Sequence, residues 1–204
     1  MPSQRLHRAE QVKENLQNIS HGLNQIQNYL RGLKWQDMDL RTEKEAEQIR
    51  YTLTLPFDIQ TIYNGLDAIV ENESNSKLKK LYHEAVYGSP DEKYDGLTLK
   101  VTVRNRDHRI DNPGNGLAVR YRNLGLGKKI YKRAIQESQY IASYDSDLFD
   151  SASNSIYSDL VWHSLHKDDD IHCETNGNKI IAVLAQDKDN YRETINQYLY
   201  PTRA

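Results

Sequence analysis

The run Leu117-Ala118-Val119-Arg120-Tyr121, then Arg122-Asn123-Leu124-Gly125-Leu126-Gly127, then Lys128 to Ser138, decides how this chain is read. A strand-like segment enters a short glycine-containing turn, and a helix-like segment leaves it. Two glycines remove Cβ atoms, so a ligand can approach the backbone closely. The first N–H groups of a helix lack intrahelical partners and carry positive partial charge, which suits a phosphate. Arg122, Lys128 and Lys129 add full charges beside that position. The backbone of Leu124 to Lys128 is therefore a candidate phosphate cradle. The alternative is a plain strand–helix turn whose glycines serve close packing.

Upstream of this motif, Leu97 to Val103 alternates and reads as the clearest strand, and Asp111-Asn112-Pro113-Gly114 reads as a turn. Ile59, Ile62, Tyr63, Leu66, Ile69 and Val70 give a helical period. A break over Asn72 to Ser76 precedes a further helix that stops at Gly88-Ser89-Pro90. Tyr51 to Leu55 reads as a strand, and Asp39 or Thr42 as the cap of a charged helix running through Gln48. Downstream, Tyr140 to Tyr144 is a short strand, Asp145 to Asp150 a loop and Ser153 to Leu165 a helix. Ile171 to Ala185 reads as a hairpin turning at Asn176-Gly177, and Tyr191 to Leu199 as a last helix.

The N-terminal 33 residues carry a heptad seam, with Ala9, Leu16, Leu23 and Leu30 at a and Val12, Ile19, Ile26 and Leu33 at d. Leu at a with Ile at d disfavours parallel dimers and leans toward higher oligomers. Two uses are open: self-association through residues 5–33, or packing on the helix's own domain. Gly22 weakens this helix by about 1 kcal/mol relative to Ala. The organisation expected is a helical oligomerisation arm over residues 1–50 and a second domain over residues 51–204.

Composition narrows the function classes. With a formal net charge of -2, the chain has no global basic field, so a nucleic-acid partner is not expected without a local basic face. Arg104, Arg106, Arg109, Arg120, Arg122, Lys128, Lys129, Lys132 and Arg133 are the residues that would form one. Cys173 is the single cysteine, which excludes an intrachain disulfide and disfavours a Cys-based zinc site. No secretory signal and no run of membrane-spanning length is visible, so a cytoplasmic protein with no membrane partner is expected.

The loop Arg122-Asn123-Leu124-Gly125-Leu126-Gly127 resembles the R/Q-x-x-G-x-G/A signature of the GCN5-related N-acetyltransferases. From Tyr51 the order strand, two helices, strands, loop, helix, strand, helix, hairpin is close to that family's. The spacing Ser153-Asn154-Ser155-Ile156-Tyr157 is similar to its pattern of a small residue, two others, an apolar residue and a tyrosine. The segment Ser143 to Leu165 also resembles divergent acetyltransferase-like proteins of bacteriophages. The resemblance implies an α+β fold, a mixed sheet flanked by helices, with the long heptad helix preceding it. It implies acetyl-CoA as co-substrate, its pyrophosphate held by Arg122, Asn123, Leu124, Gly125, Leu126, Gly127 and Lys128. A strand N–H near Val119 would polarise the thioester carbonyl, and Tyr157 would protonate the leaving thiolate. Two departures stand out: two strands rather than three precede the loop, and Val161-Trp162 replaces the Gly-Phe pair common after the tyrosine helix.

No general base stands out. Asp147, with Asp145, lies just past the strand that follows the loop helix and is the carboxylate carried forward; a solvated loop with a capping role is its alternative. His163, His166, Asp168 to Asp170, His172 and Cys173 contain metal-ligand types, yet their pattern fits a polar helix end and loop better, and no metal is expected. Two functions from different classes follow. One is an N-acyltransferase acting on a small-molecule or protein amine. The other is a catalytically inactive acetyltransferase-like scaffold that self-assembles, with other phage proteins as partners in a virion or host cytoplasm.

Overall fold

A stripe of apolar side chains every three to four residues drives α1 (Pro2–Gly32) against α2 (Phe57–Glu71) and α3 (Ser76–Tyr87). The computed structural model describes residues 2–88, 96–110, 116–117, 119–143, 156–177 and 179–201. These sort into two compact units, each assembled from separated stretches of chain: Met1–Leu33, Leu55–Thr98 and Gly116–Gly125 in one; Lys34–Thr54, Leu99–Asn115 and Leu126–Ala204 in the other. The whole is an α+β protein with small, largely antiparallel sheets and a long N-terminal helix. Among the described residues no helix is long and apolar enough to cross a membrane.

The first unit is helical. Asn75 caps α3, its side-chain oxygen accepting from the N–H groups of Lys77 and Leu78 at 3.1 and 3.2 Å. Gly88 ends the helix with φ 80°, the left-handed position where glycine avoids a Cβ clash. The heptad seam of α1 is spent within the chain from Ile19 onward: Ile19, Leu23, Ile26 and Leu30 are buried, with α2 and α3 packed on the helix. Leu6 and Ala9, in the first turns, stay exposed. At Gly22 α1 packs tightly on α2, since a Cβ there would meet Leu66 Cδ2 at 3.0 Å and Ile62 Cγ2 at 3.1 Å. A two-residue ladder, β3 (Leu97–Thr98) with β5 (Gly116–Leu117), completes the unit.

The second unit is built on strands. β1 (Leu40–Lys44) and β2 (Gln48–Leu53) form an antiparallel hairpin, and β2 also pairs with β4 (Lys100–Arg104). The charged helix expected through Gln48 is thus a strand pair. Glu and Lys favour helices locally, but the paired backbone and the cross-strand contact of Arg50 with Glu43 at 3.2 Å outweigh that preference. β6 (Tyr140–Ala142), β8 (Lys179–Leu184) and β7 (Ile171–Asn176) form a second three-stranded sheet in that spatial order.

Residues 108–110 join the two sheets. Arg104 N–H donates to Arg109 O at 2.9 Å on one side; on the other, Ile110 N–H donates to Ala142 O and Ala142 N–H to His108 O, both at 2.9 Å. The pairing with β4 is antiparallel and that with β6 parallel. α4 (Leu126–Ser138) packs on β4, β6 and β8 through its apolar face of Ile130, Ala134 and Ile135, each 0% exposed. α5 (Ile156–Leu165) lies beside it, with Trp162 edge-on to Tyr131 at 5.6 Å. α6 (Arg192–Leu199) covers Ile181 and Val183 with Ile195 and Leu199.

Two further expectations are corrected. The strand ending at Tyr121 stops at Leu117, and Val119–Tyr121 is a 3-10 turn. The fully buried Tyr121 ring lies 6.4 Å from that of Tyr63, and packing of this turn on α3 overrides its local β preference. In the last hairpin Asn176 still pairs with Lys179, so the connection begins at Gly177, φ 59°. Asn176 instead donates its side-chain amide to Leu199 O at the end of α6, 2.9 Å away. The Asp111–Gly114 turn, the Asp145–Asp150 loop with Asp147, and Ser153 to Ser155 lie outside the described residues.

Because Gly22 sits at the α1–α2 contact, Gly22→Val should destabilise the protein by about 2 kcal/mol despite valine's better helix propensity. Urea unfolding checks this; a stabilised variant would mean that the two helices do not approach as described.

Candidate functional site around the glycine loop

The loop owes its shape to two left-handed residues, Asn123 at φ 61° and Gly125 at φ 72°. Asparagine is one of the few residues with a Cβ that visits this region readily. The two glycines serve different ends. Gly125 is exposed, and a Cβ added there would have nothing within 4 Å, so its need for glycine is conformational. Gly127 is on α4, and a Cβ there would lie 2.8 Å from Val161 Cγ2 of α5. Its role is close helix packing, the alternative reading of this motif. Arg122 to Gly125 belong to the helical unit, whereas Leu126, 2% exposed, opens α4 in the sheet unit.

In the helical unit the residue before Tyr121 anchors the chain. Arg120 Nη2 donates to Ala85 O at 3.1 Å and Glu84 O at 3.4 Å, in the last turn of α3. A cation there complements the negative end of the helix. Gln27 Nε2 of α1 donates to Arg120 O at 3.1 Å.

In the sheet unit one of the charges expected to face a phosphate, Lys128, is paired within the protein, as is the buried Lys132. Lys128 Nζ meets Asp168 Oδ2 at 2.8 Å; Lys132 Nζ meets Asp168 Oδ1 at 2.7 Å and Asp170 Oδ2 at 2.6 Å. Lys132 is 4% exposed, with its ammonium 5.0 Å from the centre of the Trp35 ring. Burial pushes the Asp168 carboxyl up, but the bonds from Lys128, Lys132 and the Asp170 N–H together hold it below its ordinary value. Lys132, by hydrogen bond and charge, does the same for Asp170. Burial draws Lys129 below its ordinary value.

Other members of the basic set are also partnered: Arg104 and Arg109 with Asp107, and Arg133 with Glu137. The spacing of Lys128 and Lys132, one helical turn apart, and the Asp168–Asp170 run were the sequence signals for this ion network. What they left unstated was that the two would meet.

Of the two proposed catalytic residues, Tyr157 is the second residue of α5, with its side chain outside the description, and Asp147 lies outside altogether. Val161, four residues after Tyr157, is the one that meets Gly127. Val119 lies in the 3-10 turn, so a strand N–H is not available at that position. His172 Nε2 bonds Glu174 Oε1 at 2.8 Å, and His163 and His166 are exposed. Burial and the nearby Asp168 push the Cys173 thiol up to about 12, which keeps it protonated and a poor nucleophile. Among the described residues no group of three or more His, Cys, Asp or Glu is placed to hold a metal ion. In comparisons with known proteins, no family model, curated protein or solved structure matches the chain.

Asp168 carries two lysines, one of them buried. Asp168→Asn should cost about 3 kcal/mol at neutral pH by leaving a buried ammonium short of a counter-charge. Its folded-state carboxyl is depressed, so the stabilisation is complete above about pH 4 and is lost as pH falls through the lowered value. Urea unfolding of both proteins between pH 7 and pH 2.5 should show the gap narrowing on acidification. A gap that is absent at pH 7, or that widens in acid, would show that the network does not stabilise the fold.

Proposed function

We propose that the chain is an acetyl-CoA-dependent N-acyltransferase that moves an acetyl group to an amine by direct attack. The carrying observation is one parallel bridge, Arg109 with Ala142 of β6, between stretches connected through the loop and α4. Ligands of open sheets gather at the carboxyl ends of parallel strands, where a following helix presents its N-terminal amides. The observed order from β2 is strand, two helices, β3, β4 and β5, a 3-10 turn, loop, α4, β6, α5, and the β7–β8 hairpin. That order supports the resemblance to the GCN5-related N-acetyltransferases.

In this reading the amides from Leu124 to Lys128 hold the pyrophosphate of acetyl-CoA. The open space around Gly125 favours this. The amine nitrogen forms a bond to the thioester carbonyl carbon, the carbon–sulfur bond breaks, the amine loses a proton to a base and the thiolate gains one. Tyr157 is assigned as the acid; Asp147 is the candidate for the base.

A second reading, an acetyltransferase-like scaffold without turnover that serves assembly, has two observations in its favour. Asp168 occupies the Lys128 ammonium, and Gly127 packs on α5. Self-association in this reading uses the exposed first turns of α1, around Leu6 and Ala9.

Calorimetric titration with CoA and acetyl-CoA separates the two. Both ligands should bind the wild-type protein and raise its melting temperature. Gly125→Glu should abolish the effect, because it puts a carboxylate and a strained left-handed side chain where the phosphates would lie. If neither ligand binds the folded wild-type chain, the transferase reading falls.

A further inference from the structure

The glycine loop is held from behind, within the helical unit, by contacts that no catalytic reading uses. We infer that Arg120 and Gln27 are positioning residues for the glycine loop. They fix its entry so that Arg122 to Gly125 keep the left-handed bends at Asn123 and Gly125 before any ligand arrives. The inference rests on the acyltransferase reading for the identity of the ligand, and on geometry alone for the anchoring.

Three bonds converge on one residue. The Arg120 guanidinium forks across the carbonyls of Glu84 and Ala85, and the Gln27 side-chain amide donates to the Arg120 carbonyl. These partners lie 35, 36 and 93 residues away in sequence, so two helices, α3 through Glu84 and Ala85 and α1 through Gln27, restrain the loop entry. Arg120 is exposed, so burial does not account for its placement; its bonds to α3 do. The next residue, Tyr121, is 0% exposed and packs its ring 6.4 Å from that of Tyr63. The chain is thus pinned on both sides of the Arg120–Tyr121 peptide, immediately before the residues whose φ values open the loop. A loop already ordered in its binding shape loses less conformational freedom on binding, and that saving appears as affinity.

The geometry also ranks variants. Both bonds come from one nitrogen, Nη2, so a lysine at 120 keeps the charge and enough donors but loses the planar guanidinium that pre-sets their direction. Arg120→Ala removes the fork altogether. Gln27→Ala removes one bond from α1 and leaves Arg120 itself intact, so it serves if Arg120→Ala fails to fold.

The test combines amide hydrogen exchange across residues 121–125, without ligand, and CoA titration, both on the full chain. Arg120→Ala should speed exchange in that segment at least tenfold and weaken CoA binding about tenfold. Arg120→Lys should fall between it and wild type, and exchange in the centre of α2 should not change. Unchanged loop exchange in both Arg120→Ala and Gln27→Ala overturns the anchoring. Faster exchange with unchanged CoA affinity overturns the positioning role. Faster exchange in a protein whose wild type binds no CoA leaves the anchoring standing and removes the acyltransferase reading instead.

Discussion

Burial of one face of α4 against β4, β6 and β8 is the constraint on which the sheet unit depends. Ile130 and Ile135 are fully buried there, a gain of about 2 kcal/mol each. Once that face is committed, the helix axis is set against the strands and its N-terminus falls at Leu126. Gly127 then lets α5 approach, because the missing Cβ is the space that Val161 fills. The loop's second glycine is therefore a packing residue whatever the protein binds, and only Gly125 is open to a functional explanation.

The same helix carries a polar load on its flank. Lys132 is almost entirely buried, which would be severely unfavourable for an unpaired ammonium; Asp168, Asp170 and the Trp35 ring together make it tolerable. This arrangement ties α4 to the segment between α5 and β7 and to the 3-10 turn at Trp35–Asp37. It also takes Lys128 into the network through Asp168.

In the helical unit the interplay of local and distant forces is clearest in α1. Its heptad seam is a real pattern with an intramolecular use: from Ile19 to Leu30 the apolar residues are buried where α2 and α3 pack. Periodicity reports that a helix has an apolar face, and it does not report whose surface covers it. Gly22 illustrates the point. Read locally it weakens the helix, whereas in the folded unit it permits the approach of Leu66 and Ile62.

What the sequence determined by itself was every element whose signal is local. α1, α2, α3 and α4 follow from apolar spacing and from caps such as Asn75 and Gly88, and the β7–β8 hairpin follows from alternating runs around a glycine. The glycine loop was legible too, as a turn before a helix. Tertiary structure decided the rest. The stretch Leu40–Lys44 became a strand because β2 offered backbone partners and Arg50 a counter-charge. Val119–Tyr121 became a 3-10 turn because it packs on α3, and Lys132 met Asp168 36 residues away. None of these outcomes is encoded in neighbouring residues. Each depends on partners that only the folded chain brings within a few ångströms, where hydrogen bonds and burial exceed the fraction of a kcal/mol by which local propensities differ.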